Sequence, residues 1–240
     1  MRAAPGTVRA WSYVAVVAVL TVVLTTASSA ATSWWGRRAG QLDLVTSAQP
    51  TRATPTVDDE ASRLVWVPRD EVKTDAVATA SVECAGCHGD ARTVQVVDAR
   101  SSAALRADNV ATAWSRCTDC GATAVSVQLV VAARSTEVTA NNRALAVNAA
   151  CSRCGTAAAA YQLVVVAPGS VDLRGLRAQL RAWVRVHGAV PAPPPAVHPR
   201  SKAPGSRPDT SARLDELAAL VTEQTHGHVV RRSADARRGR

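Results

Sequence analysis

Phenylalanine is absent from the 240 residues, and tryptophan and tyrosine together supply only about 3% of them. A core built without large aromatics has to rest on Ala, Val and Leu, each of which removes less area from water than an average core side chain. The single methionine is Met1, so no methionine is present to serve as an axial haem ligand. Several catalytic signatures are missing as well. The chain has no His-Glu-x-x-His, no Gly-x-Ser-x-Gly and no Gly-x4-Gly-Lys-Ser/Thr, which excludes the common zinc-peptidase, hydrolase-elbow and phosphate-loop patterns. No catalytic residue can be named from the sequence. Lysine is also scarce, with only Lys73 and Lys202, and charged residues make up 20% of the chain, too few for a wholly disordered protein. With 47% hydrophobic residues, something here folds.

The net charge of +9 is unevenly placed. Residues 168–240 carry seven of the nine net positive charges, whereas residues 81–167, which hold all six cysteines, are nearly neutral. The middle of the chain therefore offers no stripe for tracking phosphates, and nucleic acid is not an expected partner.

The N-terminal segment, residues 1–36, has no charge between Arg9 and Arg37, and Tyr13 to Leu24 is apolar except for Thr21. It reads as an uncleaved membrane anchor, about long enough to cross the hydrocarbon layer and flanked by Trp11, Tyr13, Trp34 and Trp35 as interfacial aromatics. The alternative is a cleaved export signal ending at Ser28-Ser29-Ala30. Both place the bulk of the chain outside the cytosol. Residues 37–75 read as a linker, with one short strand at Leu64-Val65-Trp66-Val67 before Pro68.

Residues 76–167 repeat. Cys84-x-x-Cys87, Cys117-x-x-Cys120 and Cys151-x-x-Cys154 recur at steps of 33 and 34 residues. Eight residues after each second cysteine stands a glutamine, Gln95, Gln128 or Gln162, followed by an apolar run. Upstream, Val77-Ala78-Thr79-Ala80 returns as Val110-Ala111-Thr112-Ala113. The segment after each pair alternates with period two: Val125, Val127 and Leu129 share one face, and Ala124, Ser126, Gln128 and Val130 the other. The expected unit is a β-hairpin with its cysteines at the turn, helix–CxxC–strand being the alternative. Gly121 and Gly155, just after the second cysteine, suit a left-handed turn position. The three glutamines either pair as a hydrogen-bonded ladder across strands or face solvent.

From residue 168 to 190 the period becomes helical. Leu173, Leu176, Leu180, Trp183 and His187 form one face, with Ser170 as N-cap. Arg174, Arg177, Arg181 and Arg185 line an adjoining face, suited to an anionic partner or simply to water. Residues 191–208 are a Pro-rich spacer. Residues 209–240 hold a second amphipathic helix, about Thr210 to Gln224, with Leu214, Leu217, Ala218 and Val221 on its apolar side, and then a frayed basic tail.

Outside the cytosol, six cysteines in three pairs point to disulfides. The equivalence of the copies favours Cys84–Cys87, Cys117–Cys120 and Cys151–Cys154 among the 15 connectivities. On the chain-entropy model each such four-residue loop contributes about 2 kcal/mol. Three alternatives use the same residues. Zinc would draw on Cys84, Cys87, His88, Cys117, Cys120, Cys151 and Cys154 as ligands. Covalent haem would use Cys84-Ala-Gly-Cys87-His88, although His88 occupies the place of Gly121 and Gly155 in the other copies. Thiol–disulfide catalysis would want each pair at a helix N-terminus, whereas here each leads into a strand. His226-Gly-His228 is a weak metal pair at most. No cofactor is expected.

The run Asn142-x-Ala-x-Ala-Val-Asn-x2-Cys-x2-Cys-x3-Ala-x-Ala-x-Gln-x-Val-Val, followed by Pro168-Gly169-x-Val171-x-Leu173 and an Arg/Leu helix, resembles exported repeat proteins of high-GC Gram-positive bacteria. Similar repeats occur as extracytoplasmic extensions of proteins assigned as peptide zinc metalloproteases. The resemblance covers about residues 76–224 and is best over 142–180. It implies export and a repeat architecture, and it carries no catalytic residue. The expected protein is α+β: an anchor or signal helix, a β-rich domain of three CxxC hairpins and two amphipathic helices. It would act as a membrane-tethered structural or binding module at the cell envelope, meeting a protein partner there.

Overall fold

The computed structural model describes residues 42–67, 71–187 and 210–239, all within one unit that begins at Leu42. Its strands are β1 (Leu44–Ala48), β2 (Thr56–Trp66), β3 (Val72–Val82), β4 (His88–Ala99), β5 (Ala104–Ser115), β6 (Gly121–Ala132), β7 (Glu137–Asn148), β8 (Gly155–Val166) and β9 (His228–Arg238). Two helices, α1 (Leu173–His187) and α2 (Thr210–Thr225), lie between β8 and β9. The N-terminal segment at 1–36 and the whole Pro-rich spacer at 191–208 fall outside the described residues. Among the described residues no helix is long and apolar enough to cross a membrane.

The alternating segments on either side of each cysteine pair are both strands, but they do not form a hairpin. Odd-numbered strands up to β7 build a four-stranded parallel sheet, β1-β3-β5-β7, and the even-numbered strands, joined by an antiparallel β9, build the sheet β2-β4-β6-β8-β9. Each repeat is therefore one coil of a β-solenoid, with a strand in each sheet and its cysteines at the corner between them. The correction has a physical cause. A hairpin pairs a strand with its sequence neighbour, whereas here each strand finds a better partner one repeat away, where the same side chain recurs in register. Thr79 pairs with Thr112, Gln95 with Gln128 and Gln128 with Gln162.

Among the described residues the solenoid has four coils. The expected linker at 37–75 is mostly the first coil: β1 pairs with β3, and β2 with β4 along its whole length. This coil has Arg52 and Pro55 where the next has Cys84 and Cys87, so a repeat search anchored on cysteine passes over it. The short strand expected at 64–67 is the end of an 11-residue one.

The two faces of the five-stranded sheet have different tasks. Val125, Val127, Leu129 and Val131 point away from the solenoid and join a cluster with Leu173, Leu176, Leu180, Trp183, Leu217 and Val221. Both helices thus cover that sheet, α1 across β4, β2 and β6, and α2 across β9 and β8. The interior is divided along the strands. Near the cysteine corner it is almost all alanine, including Ala78, Ala80, Ala111, Ala113, Ala122 and Ala124. At the opposite corner Val97, Leu105, Val130 and Val164 fill it. Polar side chains occupy the layer between.

Three local expectations change. Asp172, not Ser170, caps α1, its carboxylate accepting from the backbone N–H groups of Arg174 and Gly175 at 3.1 and 3.0 Å. The left-handed corner residue is the third of each CxxC, Gly86, Asp119 and Arg153, rather than Gly121 or Gly155. Gly121 answers a different need: a Cβ there would lie 2.7 Å from Nδ1 of His88 on the coil below. The C-terminal tail is not frayed, because residues 228–238 form β9 and close the five-stranded sheet against β8.

A thin alanine interior has no room for larger side chains. Ala124→Leu is expected to cost about 1–3 kcal/mol by overpacking, whereas Thr112→Leu, on the outward face of β5, stays within about 0.5 kcal/mol of wild type. Urea denaturation of both variants measures the contrast.

Candidate functional site

Three features of the solenoid are candidates for function: the cysteine corners, the buried polar layer and the outer face of the four-stranded sheet.

At the corners, Cys84–Cys87, Cys117–Cys120 and Cys151–Cys154 are closed disulfides with Cα–Cα separations of 5.4, 6.1 and 5.9 Å, and no free cysteine remains. With both its sulfurs consumed, Cys84–Cys87 has no thiol for a haem thioether, and His88 beside it is exposed. The corners stack on one another. Backbone N–H groups of Gly121 and Gly155 donate to the carbonyls of Cys87 and Cys120, one coil down, at 3.0 and 2.9 Å. Closest of all are the third and fourth corners, where Cys120 Sγ lies 3.2 Å from Cys154 Sγ and 3.8 Å from Cys151 Sγ. His226 and His228 are both exposed at the turn between α2 and β9, apart from the cysteines.

In the polar layer, Gln95 and Gln128 are 0% exposed and Gln162 only 2%. They face into the solenoid. Gln128 donates from Nε2 to Oε1 of Gln95 at 2.7 Å, and Gln162 donates likewise to Gln128 at 2.6 Å. The ladder also ties the two sheets together: Gln95 donates to the backbone carbonyl of Leu42 at 2.6 Å, and Gln162 to that of Ala107 at 3.0 Å. A second ladder, absent from the sequence reading, runs from the other side. Asn109 on β5 donates to Asn142 Oδ1 and to the carbonyl of Tyr161, and Asn142 on β7 donates to the carbonyl of Ala160. The signal for it was present, because Asn109 and Asn142 stand 33 residues apart and pair in register.

These amides are structural chemistry. Identical amides stacked in parallel register pair donor with acceptor at each step, so a polar layer stays buried without orphaned groups. They neither titrate nor act as nucleophiles.

The expected arginine face on α1 divides. Arg181 donates to Glu60 at 3.0 Å and Arg185 at 2.8 Å, so both reach the first coil, although Arg185 stays exposed, while Arg174 is exposed and Arg177 half-buried. The hydrogen bond from Arg185, with Arg181 beside it, holds the Glu60 carboxyl below its usual range against the opposing effect of burial. Burial pushes the Tyr161 phenol up, partly offset by Arg213, so Tyr161 stays neutral under ordinary conditions and packs edge-on against Trp183 with ring centroids 5.3 Å apart. The groove between α2 and β9, about 510 Å³, is lined by Asp215, Thr222 and Arg231 among others, and Asp215 is already paired with Arg232.

The outer face of the four-stranded sheet is the broad surface that the helices leave open. In register across the coils it carries Val45, Val77, Val110 and Arg143, and beside them Ser47, Thr79, Thr112 and Leu145. Val45 and Leu145 are 61% and 55% exposed, and Val147 adds a further apolar group on β7. No protein-family model, curated protein or solved structure matches this chain.

Two outcomes follow from this geometry. Gln128→Leu strands the amides above and below it and is expected to cost about 2–4 kcal/mol, whereas replacing all three glutamines by leucine costs less than three times that; urea denaturation of the single and triple variants decides. Because the Glu60 carboxyl is depressed in the folded chain, its pairing stabilises fully above the ordinary glutamate pKa of about 4.3 and is lost as pH falls through the depressed value. The drop in urea midpoint between about pH 6 and about pH 3 should therefore be smaller in Glu60→Gln than in wild type.

Proposed function

We propose that this chain is an exported binding module of the cell envelope, tethered through its N-terminal segment, which offers the bare outer face of its four-stranded sheet to a protein partner. The observation that carries this reading is the asymmetry of cover. Two helices and a closing strand protect the five-stranded sheet, while among the described residues the other sheet presents a rank of Val ending in Arg143 and a rank of Ser and Thr ending in Leu145, with Val147 further along β7. Flat, partly apolar, rigid surfaces of this kind suit association better than catalysis. Three closed CxxC disulfides with no free thiol support a location outside the reducing cytosol.

Protein isolated without reductant and quenched by alkylation should be about 6 Da lighter than the fully reduced chain, with no cysteine labelled. Labelling of any pair refutes the envelope reading. A photo-cross-linker at Thr112 should capture a partner in the envelope fraction, one at Arg174 should not, and Leu145→Glu with Val147→Glu should abolish capture while leaving the denaturation midpoint unchanged. Equal capture from both positions, or from neither, removes the sheet face as the binding surface.

A further inference from the structure

The third and fourth corners place four cysteines of adjacent coils together, and their geometry goes beyond what a structural staple needs. The sulfurs of Cys117, Cys120 and Cys154 all lie within 4.8 Å of one another. Cys151 stands outside that group of three, with its sulfur 3.8 Å from that of Cys120. Tetrahedral zinc with Zn–S bonds of about 2.3 Å sets its sulfurs about 3.8 Å apart. The separations of Cys120 from Cys154 and Cys151, 3.2 and 3.8 Å, are already close to that edge. The bonded sulfurs within each pair have to part, and Cys151 has to swing toward Cys117. Cα–Cα distances of 6.1 and 5.9 Å let them do so by side-chain rotation alone, and two residues between ligands is the usual zinc-knuckle spacing.

We propose that reduction converts these two corners into a four-thiolate site, Cys117, Cys120, Cys151 and Cys154, for a thiophilic divalent cation. A dithiol is the reductant: each disulfide takes up two electrons and two protons to give two thiols, and each dithiol closes to its own cyclic disulfide. The four thiols then release four protons on binding one Zn²⁺.

The backbone holds this site in place without the S–S bonds. Asp119 N–H donates to the carbonyl of Ser152 at 3.0 Å, Ser152 N–H to that of Cys117 at 3.3 Å, and Arg153 pairs with Asp119 across the coils. The first pair does not belong to it. Cys84 and Cys87 lie outside the cluster, one coil further down, where the repeat step is 33 residues. Between the third and fourth corners the step is 34, and the additional residue, Ala150, takes a left-handed φ of 51° just before Cys151. The longer of the two cysteine steps thus falls where two corners come into sulfur contact.

The test uses the full chain in detergent, reduced with dithiothreitol and dialysed against Zn²⁺ without oxygen. One zinc per chain should be retained, with Cys117, Cys120, Cys151 and Cys154 protected from alkylation and Cys84 and Cys87 labelled. Co²⁺ in place of Zn²⁺ should give the visible spectrum of a tetrahedral thiolate complex. Cys154→Ser should weaken zinc binding on the order of 100-fold or more. Failure to retain zinc, unchanged retention in Cys154→Ser, or protection of Cys84 and Cys87 overturns the proposal. Should reduction abolish the β circular dichroism signal, its recovery with Zn²⁺ in wild type but not in Cys154→Ser supports the site, and absence of recovery in wild type refutes it. None of these results bears on the sheet face as a docking surface.

Discussion

Everything in this protein depends on like residues meeting across a parallel ladder one repeat apart. Because the coils stack in register, many interior positions see their own kind above or below, whether alanine against alanine near the corners or amide against amide at mid-strand. An amide in a protein interior is normally costly, since an unpaired donor or acceptor loses its hydration for nothing. Stacked every 33 or 34 residues, each amide brings the partner that the next one needs. The hydrogen bonds from glutamine and asparagine to backbone carbonyls of the facing sheet then join the two walls through their middle. The interior of small side chains depends on this, because alanine alone buries too little area to hold two sheets together.

Much of this was legible in the sequence, and what was missed was missed for physical reasons. The period, the strands around each cysteine pair, the composition of the two faces of β6 and both helices follow from residue spacing, as at Val125-x-Val127-x-Leu129 and Leu173, Leu176, Leu180. The direction of those faces does not. In an ordinary half-buried sheet the valines would point to the core and the glutamines to water. Here the solenoid reverses this on β6, hiding Gln128 inside and passing Val127 outward to the helices. Local pattern also cannot tell a hairpin from two strands of separate sheets, because both give period two and a turn. The first coil escaped notice because Arg52 and Pro55 stand where later coils have cysteine, and the tail because β9 is built of arginine and alanine rather than β-branched residues.

The cysteine corners illustrate how one geometry serves two chemistries. Their spacing, including the longer second step, was plain in the sequence, but sulfur contact between coils requires the stack itself, and so does the left-handed conformation of Ala150. Likewise the arginine row on α1 was visible as a row, while its division between Glu60 and solvent belongs to the tertiary arrangement. A helix face read alone has no way to know that an acidic side chain waits on a strand more than a hundred residues earlier.

That contact sets a limit on size. A solenoid has no intrinsic length, since any coil can accept another. Here α1 leaves the last coil, runs back over the five-stranded sheet and fastens Arg181 and Arg185 to Glu60 on the first. Its 15 residues span about 22 Å, against roughly 14 Å for the three spacings that separate four coils. The helix is a gauge laid along the stack. Inserting one more coil would carry Glu60 a strand's width away from its arginines, and deleting one would draw it past them. A family of such modules could therefore change the decoration of its open face freely, but could change the number of coils only by rebuilding the helix that measures them.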